Sequence, residues 1–242
     1  DITSLETTGM KDCSLTIPTS VKHLDMGFTS ERVTVSGTEY LTDLYIPREN
    51  ITTTPCPKLQ RLEWHGTMLS EKTAPFSFVE APALSVMTVY VDTIDSNITL
   101  PTALVRLDLS VSKRLADASF LTSLTRLQQL DITVENGQDP LDLSGLTTVT
   151  MLNADRALLS SLPTSLERCN VKLRSDVDLS LFTNLTRLGV LLKPNIKVTF
   201  PTGLKGLEII KGELTHTNIG DVALETFFSG SDHTITRDEL EL

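Results

Sequence analysis

Two histidines in the N-terminal third stand two residues from a carboxylate, His23 before Asp25 and His65 after Glu63, with Asp43 midway between the pairs. Imidazoles and carboxylates brought together can hold a divalent metal, and a bound metal can activate water for hydrolysis. Farther on, Arg168, Lys172 and Arg187 make a basic group able to meet an acidic surface, a phosphate or a sulfate. Cys13, Cys56 and Cys169 complete the reactive inventory. The chain contains no nucleophile elbow, P-loop, zinc-ligand spacing or paired-carboxylate motif. Whether any of these groups meet depends on the elements that carry them.

Those elements follow a repeat. The stretch from Leu100 to Leu109 reads L-P-T-A-L-V-R-L-D-L, with Leu104, Leu107 and Leu109 at spacing three then two. The alternation at its end is that of a half-buried strand with Asp108 outward. Pro101 precedes the strand, where its missing N–H costs no ladder bond. The same phrase ends at Met26, Val171 and Ile209 with a Pro-Thr lead-in, and at other points with different lead-ins. First anchors fall at Val21, Leu41, Leu59, Leu84, Leu104, Leu127, Val149, Leu166, Leu185 and Leu204, at intervals of 17 to 25 residues. The second column runs from Leu24 through Met87 and Cys169 to Leu207. The third runs from Met26 through Trp64 and Ala154 to Ile209. Every position in the three columns is apolar, in a chain that is 40% hydrophobic.

L-x-x-L-x-L at this period resembles the leucine-rich repeat family over about residues 16 to 214. The Pro-Thr-x-Leu lead-in is similar to short repeats of bacterial YopM- and IpaH-like effectors and to irregular repeats of protozoan proteins. The likeness to IpaH-like proteins covers their repeats only, and their separate ligase domain has no counterpart here. The resemblance implies an α/β-type solenoid dominated by β, a right-handed superhelix of about ten coils with a parallel concave sheet and mostly extended convex returns. One departure stands out. The family places Asn at the ninth position of each repeat, whereas this chain has Thr29, Glu49, Thr67, Asp92, Ser112, Glu135, Ala157, Arg174, Lys193 and Gly212. Its turn carbonyls and amides must therefore find other partners, such as Thr, Ser or water. A fourth apolar column is loose: Ile51, Leu69, Ile94, Leu159 and Leu214 are in register, with Leu115, Val177 and Ile196 displaced by one.

On such a solenoid the residues between the anchors line the concave face. The first coils place His23, Asp25, Asp43, Tyr45, Arg61, Glu63 and His65 there, followed by Tyr90, Arg106, Asp108, Gln129 and Asp131. His23 and His65 lie two coils apart, about 10 Å at the usual strand spacing, so a solvated face with cross-strand pairing, Asp43 to Arg61 for example, is expected over a metal site. No metal and no cofactor are assigned. Trp64 is a core residue, whereas Tyr45 and Tyr90 point outward as candidate contacts. The partner-binding set is Asp43, Tyr45, Arg61, Glu63, Tyr90, Arg106, Asp108, Gln129, Asp131, Arg168 and Arg187.

The net charge of −10 disfavours nucleic acid as a partner. No apolar run reaches the ~18 residues a membrane-spanning helix needs. Three cysteines are too few for a disulfide scaffold; Cys169 is expected as a buried thiol, and a Cys13–Cys56 bridge stays open. Asn50, Asn97 and Asn184 head N-x-Thr sequons, which points towards a secreted or cell-surface glycoprotein. The chain begins at Asp1 rather than Met, as expected of a processed or trimmed protein, and a removed signal peptide is compatible with this.

Residues 1–16 are expected to form an N-terminal edge, 17–214 one continuous solenoid, and 215–242 a cap helix with an acidic tail. The helix is expected over Asn218–Phe228, with Ile219, Val222, Leu224, Phe227 and Phe228 on one face and Gly230 at its end. A second helical turn is expected at Lys113–Ala118. Arg237-Asp238-Glu239-Leu240 is similar to an ER-retrieval signal, but Glu241 and Leu242 follow it. The function expected is non-catalytic recognition of a protein partner through the concave sheet. The alternatives are an intracellular scaffold or effector domain, or a metal-dependent enzyme using the His23/Asp25/His65 corner.

Overall fold

The computed structural model describes residues 2–27, 32–48, 50–70, 73–74, 77–95, 98–115, 118–135, 141–154, 159–173, 176–192, 197–211, 216–217, 222, 224–229 and 234–235. The chain forms two compact units, Asp1–Leu127 with Val134–Asp139, and Gln128–Thr133 with Pro140–Leu242. Both are built of coils of a parallel β-solenoid with almost no helix.

In the first unit, the strands Ser4–Glu6, His23–Asp25, Asp43–Ile46, Arg61–His65, Val86–Ile94 and Arg106–Leu115 each pair in parallel with the next in sequence. Consecutive parallel neighbours require the chain to return between strands. Three of those returns, Cys13–Thr16, Val33–Ser36 and Ile51–Thr53, pair into a smaller parallel sheet. In the second unit Gln129–Val134, Met151–Ala154, Arg168–Leu173, Arg187–Leu192, Gly206–Lys211 and Thr226–Ser229 follow one another in the same way. Its returns pair as Leu141–Asp142 with Leu159–Ser161, and as Val177–Asp178, Lys197–Thr199 and His216–Thr217.

The three anchor columns fill the interior of the coils, and none of their side chains is more than 4% exposed. Of the loose fourth column, Ile51, Leu69, Ile94 and Leu115 are buried and Val177 is half-buried. The Leu159 side chain, Ile196 and Leu214 lie outside the described residues. The Pro-Thr-x-Leu lead-in is a tight turn in which the anchor N–H donates to the proline carbonyl: Val21 to Pro18 at 3.0 Å, Leu104 to Pro101 at 3.2 Å, Leu204 to Pro201 at 3.1 Å. Proline at this position supplies only the acceptor, so its missing N–H costs nothing.

The missing asparagine ladder has a backbone substitute. At most of the described strand entries one carbonyl accepts two amide protons from the following coil. Lys22 O takes those of Thr42 and Asp43 at 2.8 and 3.1 Å, and Ser85 O those of Val105 and Arg106 at 2.8 and 3.0 Å. Thr150 O takes those of Glu167 and Arg168 at 2.8 and 3.0 Å. Hydroxyls reinforce the row: Thr42 donates to Lys22 O at 3.2 Å, Ser85 to Gln60 O at 3.3 Å, and Thr186 to Glu167 O at 3.2 Å. Fully buried Thr38 likewise donates to Thr54 O or Pro55 O, at 2.9 and 3.0 Å. Backbone groups inside a coil must be paired, and here serine, threonine and the backbone itself pair them.

Two expected elements differ. Thr226–Ser229 is a strand in register with Gly206–Lys211, not the end of a cap helix, and Thr234–Ile235 pairs with it antiparallel. Leu224 and Phe227 repeat the first and second anchors, twenty residues after Leu204 and Leu207. Asn218–Asp221 and Gly230 lie outside the described residues. Lys113–Leu115 continues the Arg106–Leu115 strand, and Arg114 and Leu115 pair with Thr93 and Ile94. The short helical turns come elsewhere, at Thr38–Tyr40, Phe78–Glu80 and Ser119–Ser123. The last two fall in the two longest repeat intervals, which leave room for them.

Candidate functional site

The exposed face of each unit's main sheet is ordered by strand register. In the first unit one row runs His23, Asp43, Arg61, Val86, Arg106, and a second runs Asp25, Tyr45, Glu63, Thr88, Asp108. A third row sets His65 opposite Tyr90. All these side chains point away from the core because the anchors between them point in.

Along the first row, His23 Nδ1 lies 2.9 Å from Asp43 Oδ2, and Arg61 Nε lies 3.9 Å from Asp43 Oδ1. Thr42 donates to the same carboxylate at 2.7 Å. Glu63 meets His65 at 3.2 Å, and Arg106 meets Asp108 at 3.4 Å. Of these, His23, Asp43, Arg61, Glu63 and Arg106 line a depression of about 440 Å³ together with Ser4, Asp25, Tyr45 and Thr88. The expected Asp43–Arg61 pair is therefore present. The proposed metal corner is not assembled: His23 turns to Asp43, His65 to Glu63, and Asp25 accepts the Gly27 N–H at 3.0 Å. Among the described residues no group of three or more His, Cys, Asp or Glu is placed to hold a metal ion.

What the face does assemble is a row of rings. His65 stacks on Tyr90 with centroids 4.3 Å apart and planes 30° from parallel, and meets Tyr45 edge-on at 5.6 Å and 73°. Tyr90 is 42% exposed. Burial raises the Tyr45 and Tyr90 phenols above their ordinary range, and the nearby Glu63 carboxylate adds to the effect at both. They stay protonated donors at neutral pH. The sequence places His65 on the concave face as a solvated imidazole or a metal ligand, and leaves it out of the partner-binding set. The missed signal was its column position, beside Tyr90 and one step diagonal from Tyr45, where aromatic side chains reach one another.

In the second unit Gln129 donates to Asp131 at 2.9 Å on the same strand. Arg168 stands directly opposite Arg187, both exposed, and Asn170 opposite Gly189. With Gly206 and Glu208 they line a depression of about 380 Å³. Cys169 lies beneath, and burial pushes its thiol up to about 12, so it is no nucleophile at neutral pH. Cys13, Cys56 and Cys169 are all free thiols, so Cys13 and Cys56 are not bridged. Of the sequons, Asn184 is exposed, Asn50 is half-buried before the Ile51–Thr53 strand, and Asn97 lies outside the described residues.

No family model matches the chain, and no curated protein matches it. Among solved structures, an internalin from Listeria monocytogenes is similar at 18% identity and a TM-score of 0.44, covering 89% of this chain and 82% of that one. A likeness of that size assigns neither family nor function. The leucine-rich-type solenoid rests on the strand register and the buried anchor columns of the chain itself.

Proposed function

We propose that the chain is a non-catalytic recognition module that binds a protein partner through the exposed face of its main sheet. The observation that carries this reading is the Tyr45–His65–Tyr90 ring row, half-exposed on a rigid parallel sheet. Aromatic rings supply large contact area with little conformational entropy to lose, and they dominate protein interfaces. Carboxylates and arginines flank the rings, giving the polar rim such contacts have. Asp43, Arg61, Glu63, Arg106 and Asp108 form that rim, with Gln129, Asp131, Arg168 and Arg187 as further contacts on the second unit. No assembled nucleophile–base pair or metal cluster among the described residues argues for catalysis.

No described helix is long and apolar enough to cross a membrane. We place the module outside the cell or on its surface, with glycans at Asn50, Asn97 and Asn184, and take residues 17–214 as its repeat body. Expression through a secretory pathway followed by glycosidase treatment should shift the mobility, and no shift would favour an intracellular scaffold or effector. The binding reading is tested by affinity capture with the wild-type chain and with Tyr45→Ala/Tyr90→Ala. A partner should be retained by the wild type and lost by the variant. Equal retention of every captured protein by both would remove the ring row from the case.

A further inference from the structure

We propose that the Arg168–Arg187 pair of the second unit is a receptor for a phosphate monoester dianion. The pair breaks a local rule. Like charges directly opposite on neighbouring strands repel, yet here two arginines face each other in register. The arginines of the first unit's face each have a carboxylate, Arg61 with Asp43 and Arg106 with Asp108. Among the described residues neither Arg168 nor Arg187 has a carboxylate within ion-pair distance. Two guanidiniums with no ion pair among the described residues are thus held side by side on a chain whose net charge is −10.

The ground beside them is cleared. Gly206 stands opposite Arg187, and Gly189 stands between Asn170 and Glu208, so two of the positions bordering the depression of about 380 Å³ at their feet carry no side chain, while the Glu208 carboxylate borders it beyond Gly189. A Cβ at Gly189 would collide with Asn170 Oδ1, so the asparagine amide reaches over the glycine backbone. Two planar forks and an amide along one edge of a shallow basin match the oxygens of a tetrahedral phosphoryl group. A dianion also matches the charge of the pair, where a single carboxylate would leave one cation uncompensated. This site lies apart from the ring row in sequence and chemistry, and it does not depend on the protein-binding reading.

Calorimetry of the full chain at pH 7.5 tests it with three titrants: inorganic phosphate, a phosphoserine peptide and the same peptide unphosphorylated. The phosphorylated peptide or inorganic phosphate should bind, and Arg168→Ala/Arg187→Ala should weaken that binding by about tenfold or more. Preference for the peptide assigns the group to a modified protein, and equal binding of both assigns free phosphate. Affinity should fall as pH drops below about 6, where the monoester loses its second charge. Melting provides an independent readout. Without phosphate and at low salt Arg187→Ala should melt no lower than the wild type, because it relieves repulsion; added phosphate should raise the wild-type Tm alone. Phosphate binding unchanged in the double variant, no binding by the wild type, or an Arg187→Ala protein that melts lower without phosphate would each overturn the proposal.

Discussion

The two units present the same sheet with opposite chemistry. On the first, cations are matched to carboxylates across and along strands, and the exposed surplus is aromatic. On the second, the surplus is charge, with glycines in the rows where the first unit has Val86 and Thr88. The interiors beneath are equivalent, since the same anchor columns are buried to the same degree in both. A repeat of this kind separates the two tasks. The inward residues are tied to the coil, and the outward ones are free to differ from one strand to the next.

The comparison predicts equality inside and difference outside, and the largest effects come from the interior. Leu62→Ala and Leu188→Ala remove matched anchors, each 2% exposed. Each should cost about 2–5 kcal/mol in denaturant unfolding, and unequal costs would show that the two cores are not equivalent. Trp64 sharpens the same point. Its buried Nε1 has no hydrogen-bond partner among the described residues, so Trp64→Phe loses ring volume without losing a hydrogen bond there. It should cost about 1–2 kcal/mol, against about 3–5 kcal/mol for Trp64→Ala, when followed by circular dichroism.

On the outer face His65→Ala removes two ring contacts and should lower stability by about 1 kcal/mol, while His65→Phe should retain most of it. Acid should act on the returns of the second unit. Hydrogen bonds from the Ser161 and Ser144 hydroxyls and the Ser144 amide hold the Asp142 carboxyl down at about 2, below its ordinary 3.8. Asp178 is lowered in the same way by Ser180. A carboxyl depressed in the folded state stabilises fully above its unfolded value and loses that contribution as pH falls through its folded one. Unfolding midpoints should therefore drop between about pH 4 and 2, and Asp142→Asn should flatten the fall. The smallest effect belongs to Arg61→Ala: its side chain is 72% exposed and 3.9 Å from Asp43, so thermal unfolding should change by less than about 0.5 kcal/mol.

The core was legible in the sequence because burial on a strand leaves a period that few other structures share. Leu104, Leu107 and Leu109 could be read as anchors from their spacing alone. The C-terminal strand was not legible for a related reason. Leu224 and Phe227 stand three apart, a spacing common to the first two anchors and to one turn of a helix, and Val222 and Phe228 completed a plausible helical face. At Lys113–Leu115 good helix formers sit in a strand, where pairing with Thr93 and Ile94 outweighs local preference. The outer site was half legible. Tyr45, Tyr90 and the charged columns could be listed, but the stacking of His65 depends on diagonal reach between strands, which no single column displays. That neither Arg168 nor Arg187 meets a carboxylate among the described residues also needed coordinates.

The doubly accepting carbonyls at the strand entries bear on how such a chain can change length. Because a coil entered this way is re-indexed against its predecessor at one fixed point, an insertion in its return leg is absorbed before the next strand begins. The 25-residue interval from Leu59 to Leu84 and the 17-residue interval from Val149 to Leu166 both deliver their strands in register. Loop grafts placed between a strand's end and the next entry carbonyl should therefore be tolerated, whereas a single added residue between that carbonyl and the third anchor would turn an outward side chain into the core.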